Sequence, residues 1–158
     1  MLRSVLFTFA LVSALVLLAG CGGSEASKDD FAQDVIAARN DADAGLAQIV
    51  QATSFDDLVA RMKIAAVEVR AASGDVRTSE APGDLEDERD LLAERLVALS
   101  DEIISTVETF EAIPDQAQAT RALNFEQWNT VQASLASLRR EGIDVPALER
   151  HAPEAQSQ

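Results

Sequence analysis

The sequence has one cysteine, one histidine and no tyrosine among its 158 residues. A lone cysteine cannot form a disulfide within the chain, and one cysteine with one histidine cannot build a Cys/His metal cage. Glycine and proline are also scarce, with seven and four residues. Because Ala, Leu, Val, Asp and Glu dominate instead, the composition favours helix over strand and argues against an all-β fold.

Basic residues are outnumbered, since 27 Asp and Glu stand against 13 Lys and Arg and leave a formal net charge of −14. Nucleic-acid binding depends on neutralising phosphates with Lys and Arg, so a surface of this charge repels a nucleic acid. We therefore expect no nucleic-acid partner. The length and the 47% hydrophobic content suit one domain of modest size.

Residues 1–20 have the pattern of an export signal. Arg3 is the only charge, an apolar run extends from Val5 to Leu18, and small residues follow. The run Leu18-Ala19-Gly20-Cys21 resembles the lipobox of bacterial lipoproteins, in which the cysteine sulfur carries a diacylglycerol and the preceding peptide is removed. The resemblance implies that Cys21 is the lipidation site and that the chain is held on a membrane by its acyl chains.

An uncleaved membrane span is the alternative for the same residues, because no second charge appears before Glu25. The strongly apolar part stops near Leu18, short of the roughly 20 residues that span a bilayer, and the small residues that follow favour cleavage. We expect a mature chain on the extracytoplasmic side of the cell membrane or envelope. Which membrane receives the anchor, in a cell with two, stays open.

Residues 21–27 are the lipidated cysteine and a flexible, polar leash, and residues 28–151 are the expected helical domain. Ser27 and Ser54 each precede an acidic residue by three positions, which is a capping signature for two helices. Apolar residues then recur at spacings of three and four. In helix one they are Phe31, Val35, Ala38, Ala42, Gly45, Ile49 and Ala52, and in helix two Phe55, Leu58, Met62, Ala65, Val69, Ala72 and Val76.

A third helix is expected after Pro82-Gly83, capped by Asp84, and a fourth after the break at Pro114-Asp115. Their apolar stripes are Leu85, Leu92, Leu96, Leu99, Ile103, Thr106, Phe110 and Ile113, and then Phe125, Trp128, Val131, Leu135 and Leu138. Gly142 has the position of a left-handed residue that ends the fourth helix, with Ile143 folding back on its last turn.

A short helical turn is expected from Asp144 to Arg150, and residues 152–158 are expected to be a disordered tail. Four helices with short joints predict an all-α fold, an antiparallel up-down-up-down four-helix bundle with a short C-terminal helical turn. The acidic, Ala/Leu-rich helices, the proline before Asp84 and the lipobox together resemble small helical-bundle lipoproteins of high-GC bacteria. That resemblance implies a location and no catalytic residue.

Four features suggest sites, and each has a plainer interpretation. The acids from Asp84 to Asp90 suit a cationic ligand, but acids in a first helical turn also stabilise the helix dipole. Asp41-x-Asp43-x-Gly45 begins like a calcium loop and then lacks its later ligands, so a helix face is expected, with Arg39 and Asp43 away from the core. Trp128 suits a ligand that stacks between helices, but its spacing within the apolar stripe of the fourth helix is that of a core residue. His151 lies beyond the fourth helix and cannot complete a metal centre inside the bundle.

Two functions remain open. One is a non-enzymatic envelope interaction module with an unknown protein partner, and the other is a lipoprotein that binds a small ligand in an apolar pocket between helices. No cofactor, metal or catalytic residue is expected. A cavity beside Trp128 favours the second function, whereas a filled core with an exposed apolar stripe favours the first.

The expected chain path also places the joints. The joint before Asp84 returns to the end where helix one begins, whereas the joints at Thr53-Ser54 and at residues 113–115 lie at the other end. We expect an acidic domain to meet its partner there, away from an anionic bilayer, through Phe55, Asp56, Ile113 or Asp115. On helix three, Leu99→Ala is expected to cost about 2–5 kcal/mol and Glu102→Ala less than about 0.5 kcal/mol.

Overall fold

The computed structural model describes residues 27–112 and 125–149. Within these ranges the chain forms four helices and no strand. They are α1 (Lys28–Ile49), α2 (Phe55–Thr78), α3 (Glu86–Ala112) and α4 (Glu126–Arg140). The all-α prediction is confirmed, and the 27 residues of α3 give the bundle a length of about 40 Å.

Both predicted serine caps are confirmed. The Asp30 amide donates to Ser27 Oγ at 3.0 Å, and the Asp57 amide donates to Ser54 Oγ at 3.1 Å. Both serines have extended backbone angles, and α1 and α2 start at the following residue. Each hydroxyl thus satisfies a first-turn amide that has no partner within its helix.

The start of α3 differs from the prediction, because Asp84 does not cap it. The Leu85 amide donates to Pro82 O, and Arg89 N donates to Leu85 O, so Leu85 itself precedes the helix. Its side chain is fully buried. Asp84 instead forms an ion pair with Lys28 at 3.3 Å.

The start of α4 is capped from another helix. Glu102 of α3 accepts the backbone amides of Glu126 and Gln127 at 2.8 and 2.9 Å. The expected effect of Glu102→Ala, less than about 0.5 kcal/mol, did not include this contact, whose loss removes two partners from the first turn of α4.

Consecutive helices pack against each other, α1 with α2, α2 with α3, and α3 with α4. The Lys28–Asp84 pair joins the start of α1 to the α2–α3 joint, and the Lys63–Glu111 pair, at 2.7 Å, joins the first half of α2 to the end of α3. These contacts agree with the predicted up-down-up path. The predicted stripes supply most of the buried core, to which α1 adds Leu46, α2 adds Ala66, and α3 adds Ala93 and Val107.

Small side chains and buried hydroxyls bring the helices together. A Cβ placed on Gly45 of α1 would lie only 2.8 Å from Cβ of Glu68 on α2. Between α2 and α3, Ser73 Oγ donates to Ala93 O at 2.9 Å and Ser100 Oγ to Ala66 O at 2.8 Å. These serines lie inside the bundle without leaving their hydroxyls unpaired.

The end of α4 matches its prediction. Gly142 has φ of 89°, Ile143 N donates to Leu138 O, and Gly142 N donates to Arg139 O. This pair of bonds is a Schellman motif, for which glycine avoids the left-handed strain of other residues. Ile143 is buried, as the motif requires of its hydrophobic contact.

The expected helical turn after Asp144 is wrong for the residues that the structure describes, since residues 143–149 contain no helix. Val145 precedes Pro146, which disfavours helical angles at Val145. The backbone is held by side chains of α4, because Gln132 bonds both the carbonyl and the amide of Leu148 and Arg139 donates to Val145 O. We call residues 143–149 the C-terminal segment.

The C-terminal segment also changes the environment of α1. Arg39 donates to Ala147 O, Glu149 N donates to Asp43 Oδ1 at 2.8 Å, and Arg39 pairs with Asp43 at 3.5 Å. Asp43 is buried, with 9% exposure. The prediction that Arg39 and Asp43 lie on an open face is wrong because the segment covers that face.

Several predicted features lie outside the described residues. These are the signal at 1–20, Cys21, Ile113, Asp115, His151 and the tail at 152–158, while only the last residue of the leash, Ser27, is described.

A candidate docking groove at the distal end

An open groove lies at the end of the bundle away from Ser27. Its volume is about 500 Å³, and it runs between the first turns of α2 and the last turns of α3. We call it the distal groove. Its lining consists of Phe55, Asp56, Val59, Ala60, Lys63, Phe110 and Glu111.

The wall of the distal groove is aromatic. The rings of Phe55 and Phe110 lie with centroids 5.9 Å apart and planes tilted by 35°, a favourable aromatic arrangement. Phe110 is fully buried, whereas Phe55 and Val59 are only partly buried. An incoming apolar side chain therefore meets a wall that is anchored in the core and still incompletely covered.

The first turn of α2 holds Phe55 and Asp56 in place. Asp57 Oδ2 accepts the Thr53 amide at 2.9 Å, and Asp57 Oδ1 accepts Arg61 Nε at 2.9 Å. The Thr53 amide, and after it Arg61, lower the pKa of Asp57 below its ordinary value. The carboxylate is thus ionised at neutral pH and links the loop before α2 to the helix, which fixes one side of the groove.

The rim of the distal groove is charged. Asp56 is exposed, and Lys63 and Glu111 form an ion pair with about half of each side chain exposed. Exposed pairs of this kind contribute little to stability, so they open readily for another charged group. With two acids and one base, the rim favours a positively charged partner.

Two of the four predicted contact residues line this groove, namely Phe55 and Asp56, while Ile113 and Asp115 lie outside the described residues. Sequence reasoning did not connect Phe110 and Glu111 with Phe55. Phe110 was expected only as core. The signal that points to it is the antiparallel path, which sets the end of α3 beside the start of α2.

The acidic cluster from Asp84 to Asp90 lies at the opposite end. Asp84 pairs with Lys28, and Asp90 pairs with Arg89 at 2.8 Å, while Arg89 also donates to the Ser79 carbonyl. These contacts support a structural role at the α2–α3 joint. Within the described ranges, no three His, Cys, Asp or Glu side chains are grouped to hold a metal ion.

A void inside the bundle that adjoins the C-terminal segment offers little room. It measures about 10 Å³ and is bounded by Val35, Leu92, Val131 and Leu148, among others. A site for a drug-sized ligand needs hundreds of Å³. Trp128 is partly buried and packs against the core. Asp41, Asp43 and Gly45 lie in the middle of α1, a continuous helix and not a calcium loop.

No protein-family model, curated protein or solved structure matches this chain. In the part of the chain that the structure describes, none of the helices has both the length and the apolar composition of a membrane span.

Proposed function

We propose that this chain is a lipid-anchored, non-enzymatic lipoprotein of the cell envelope that binds a protein partner through the distal groove. The observation that supports it most is the position of the groove. It lies at the end of the bundle opposite Ser27, and Ser27 is only six residues after Cys21.

The path of α1 and α2 separates the distal groove from the start of α1 by the length of a helix. The first residue of α1, Lys28, contacts Asp84 and the Glu141 carbonyl, so these three lie at one end. The chain then follows the 22 residues of α1, about 33 Å, before it turns into α2. If an anchor on Cys21 holds the first end near a bilayer, the distal groove faces away from it and is accessible to other envelope proteins.

The chemistry of the distal groove favours one kind of partner. Its aromatic wall, formed by Phe55 and Phe110, suits an apolar side chain that becomes buried on binding. Its rim, with Asp56 and Glu111, suits a lysine or arginine next to that side chain. We therefore propose a partner segment that carries an apolar anchor beside a basic residue. The net charge of −14 also speeds the approach of a basic partner.

Binding of a small ligand between the helices stays a prediction. The void of about 10 Å³ beside Leu148 does not favour it. Exposed apolar side chains on α2, such as Ile64 and Val67, belong instead to the pattern expected of an interaction module.

The anchor is tested by Cys21→Ser in the full chain. We expect the wild type to incorporate labelled fatty acid and to enter the detergent phase, because two or three acyl chains give stable membrane binding. The variant loses both properties. A variant that is still acylated and still enters the detergent phase contradicts the lipoprotein proposal.

The groove is tested separately by photo-crosslinking on intact envelopes. The two probe positions are Asp56 and Glu86, which are exposed acids in the first turns of α2 and α3 at opposite ends of the bundle. We expect a specific adduct from position 56 that Val59→Asp removes, because the added charge faces the Phe55–Phe110 wall. Adducts found only from position 86 overturn the groove proposal without affecting the anchor.

A further inference from the structure

The outer face of α2 carries a line of apolar residues that the bundle does not cover. Ile64, Val67, Ala71 and Gly74 are exposed and follow one another at spacings of three, four and three. The exposed fractions of Ile64 and Val67 are 46% and 66%. Scattered exposed apolar residues are ordinary, but this spacing aligns them as in a coiled-coil seam. We call these four residues the outer seam.

Charged residues border the outer seam on both sides, and the two sides differ in sign. In heptad terms Ile64 and Ala71 are a positions and Val67 and Gly74 are d positions, which makes the flanking g and e positions charged. The g positions are Lys63 and Arg70, and the e positions are Glu68 and Asp75.

The α2–α3 contact orients the basic side. Lys63 pairs with Glu111 and Arg70 with Asp101, and each of these four side chains keeps more than half of its surface exposed. Both basic groups therefore lie along the α3 edge of the seam. Such exposed pairs are weak, so the Lys63 and Arg70 groups remain able to reach a second acid.

In a parallel pair of helices, a g residue of one copy meets the e residue five positions later in the other. Lys63 then meets Glu68 of the second copy, and Arg70 meets Asp75 of the second copy. Each of these pairs is of opposite charge, and symmetry doubles them. An antiparallel pair sets g against g and e against e, which brings like charges together. We propose that a second copy of this chain packs in parallel on the outer seam of α2.

The seam residues suit this packing. A Cβ placed on Gly74 meets no atom within 4 Å in its own chain, so the backbone of a second helix can approach closely there. The net charge of −14 on each copy opposes the pairing, but at physiological salt such repulsion is screened beyond about 8 Å, whereas the seam pairs are in contact.

The outer seam adjoins the distal groove without coinciding with it, because Lys63 is the last α2 residue that lines the groove. The proposed pairing does not depend on the anchor or on the groove partner. A parallel pair nevertheless brings both chain starts to the same side, which is the orientation that two chains anchored in one bilayer share.

Disulfide crosslinking of the full chain tests both the contact and its direction. The single variants Ile64→Cys and Gly74→Cys are ten positions apart on the seam, about 15 Å along the helix. A parallel pair crosslinks each variant to itself upon mild oxidation in intact cells. An antiparallel pair instead crosslinks only a co-expressed mixture of the two variants, and that result overturns the proposal.

The controls are the wild type, which contains Cys21, and Ala44→Cys on the exposed face of α1. We expect dimer yields from the seam variants to exceed both controls. Equal yields at positions 44, 64 and 74 indicate random collision and also overturn the proposal.

Charge reversal tests the proposed ion pairs on the Gly74→Cys background. In Glu68→Lys, Lys63 of one copy meets a lysine at position 68 of the other. In Lys63→Glu, a glutamate at position 63 of one copy meets Glu68 of the other. Because either change turns two attractive pairs into repulsive ones, each variant alone is expected to weaken the pairing of copies about five- to thirtyfold. Co-expression of the two variants restores opposite charges between copies and restores the crosslink. If both charge variants crosslink as well as Gly74→Cys alone, or if their mixture does not regain the crosslink, the proposed ion pairs between copies are contradicted.

Discussion

Gly45 lies against α2, where an added Cβ would be 2.8 Å from Cβ of Glu68, a distance that real Cβ atoms essentially never show. The neighbouring atom belongs to the stem of a helical side chain and cannot rotate away. We expect Gly45→Ala to destabilise the chain by about 1–3 kcal/mol in urea unfolding, because separation of α1 and α2 outweighs the gain in helix propensity.

Gly74 is the matched control, since it also lies within a helix and a Cβ there meets no atom within 4 Å. Gly74→Ala is expected to stabilise the single chain by about 0.5–1 kcal/mol through helix propensity and the entropy of the unfolded chain, when unfolding is measured at a dilution that separates the proposed pair of copies. Changes of the same sign at both glycines contradict the proposed close approach of α1 to α2.

Glu102 has a similar role between distant parts of the chain, because its carboxylate accepts two amides at the start of α4. We expect Glu102→Ala to cost about 0.5–2 kcal/mol, as loss of a helix cap does. Urea unfolding measures this against Glu108→Ala, an exposed glutamate of the same helix that is expected to change stability by less than about 0.5 kcal/mol. Similar small effects at both positions rule out the capping role.

At the scale of the element, the beginning of α2 depends on pH through Asp57. Its folded pKa is lowered by the Thr53 amide and by Arg61 from an ordinary value of 3.8. The stabilisation is therefore fully present above the unfolded pKa and is lost as the pH falls below 3.8 through the folded pKa.

We expect Asp57→Asn to be less stable than the wild type at neutral pH, and this difference to shrink in acid. The free energy of unfolding, measured in urea from about pH 7 to about pH 3, shows the convergence. Asp56→Asn is the control, because it changes the neighbouring acid in the same turn. An identical pH dependence for the two variants shows that the contacts of Asp57 are not responsible.

The C-terminal segment stabilises the bundle as packed chain without being a helix. Leu148 is buried, with 4% exposure, while both of its backbone polar groups bond to Gln132. We expect Leu148→Ala to cost about 2–5 kcal/mol in urea unfolding, as at a core leucine. Leu91→Ala, at a leucine with 40% exposure, provides the comparison. Equal losses of unfolding free energy at the two leucines contradict a stabilising role for the C-terminal segment.

The same segment shows where sequence patterns stop being informative. The stripes of α1, α2 and α3 were predictable because a buried helix face repeats every three or four residues. The burial of Asp43 could not be predicted from the sequence, since it depends on Glu149, which is 106 positions away and has no periodic relation to α1. A sequence pattern predicts that a charged residue is exposed, unless the partner that accompanies it in the interior is known.

The distal groove, too, was only partly predictable from the sequence. Phe55 and Asp56 were predictable because the joint before α2 is marked by Thr53-Ser54 and its end of the bundle follows from helix order. The pairing of Phe55 with Phe110 was not, because the register between α2 and α3 depends on how buried side chains such as Ser100 and Ala66 fit together.

At the scale of the whole molecule, the net charge of −14 is distributed unevenly. Asp34 and Asp41 of α1 and Asp75 of α2 line one open groove of about 250 Å³, whereas Asp101 of α3 contacts Arg70. Like charges that share a groove repel, and the repulsion weakens as salt screens it.

We therefore expect Asp41→Asn to stabilise the chain by about 0.3–0.5 kcal/mol at low salt, with the gain disappearing near 0.5 M NaCl, where the screening length is only about 4 Å. Asp101→Asn removes the same charge from the molecule but also breaks the pair with Arg70, so its gain is expected to be smaller or absent. Urea unfolding at two salt concentrations compares the two variants. Equal gains indicate that total charge alone governs stability, whereas a larger gain at Asp41 assigns the repulsion to the groove between α1 and α2.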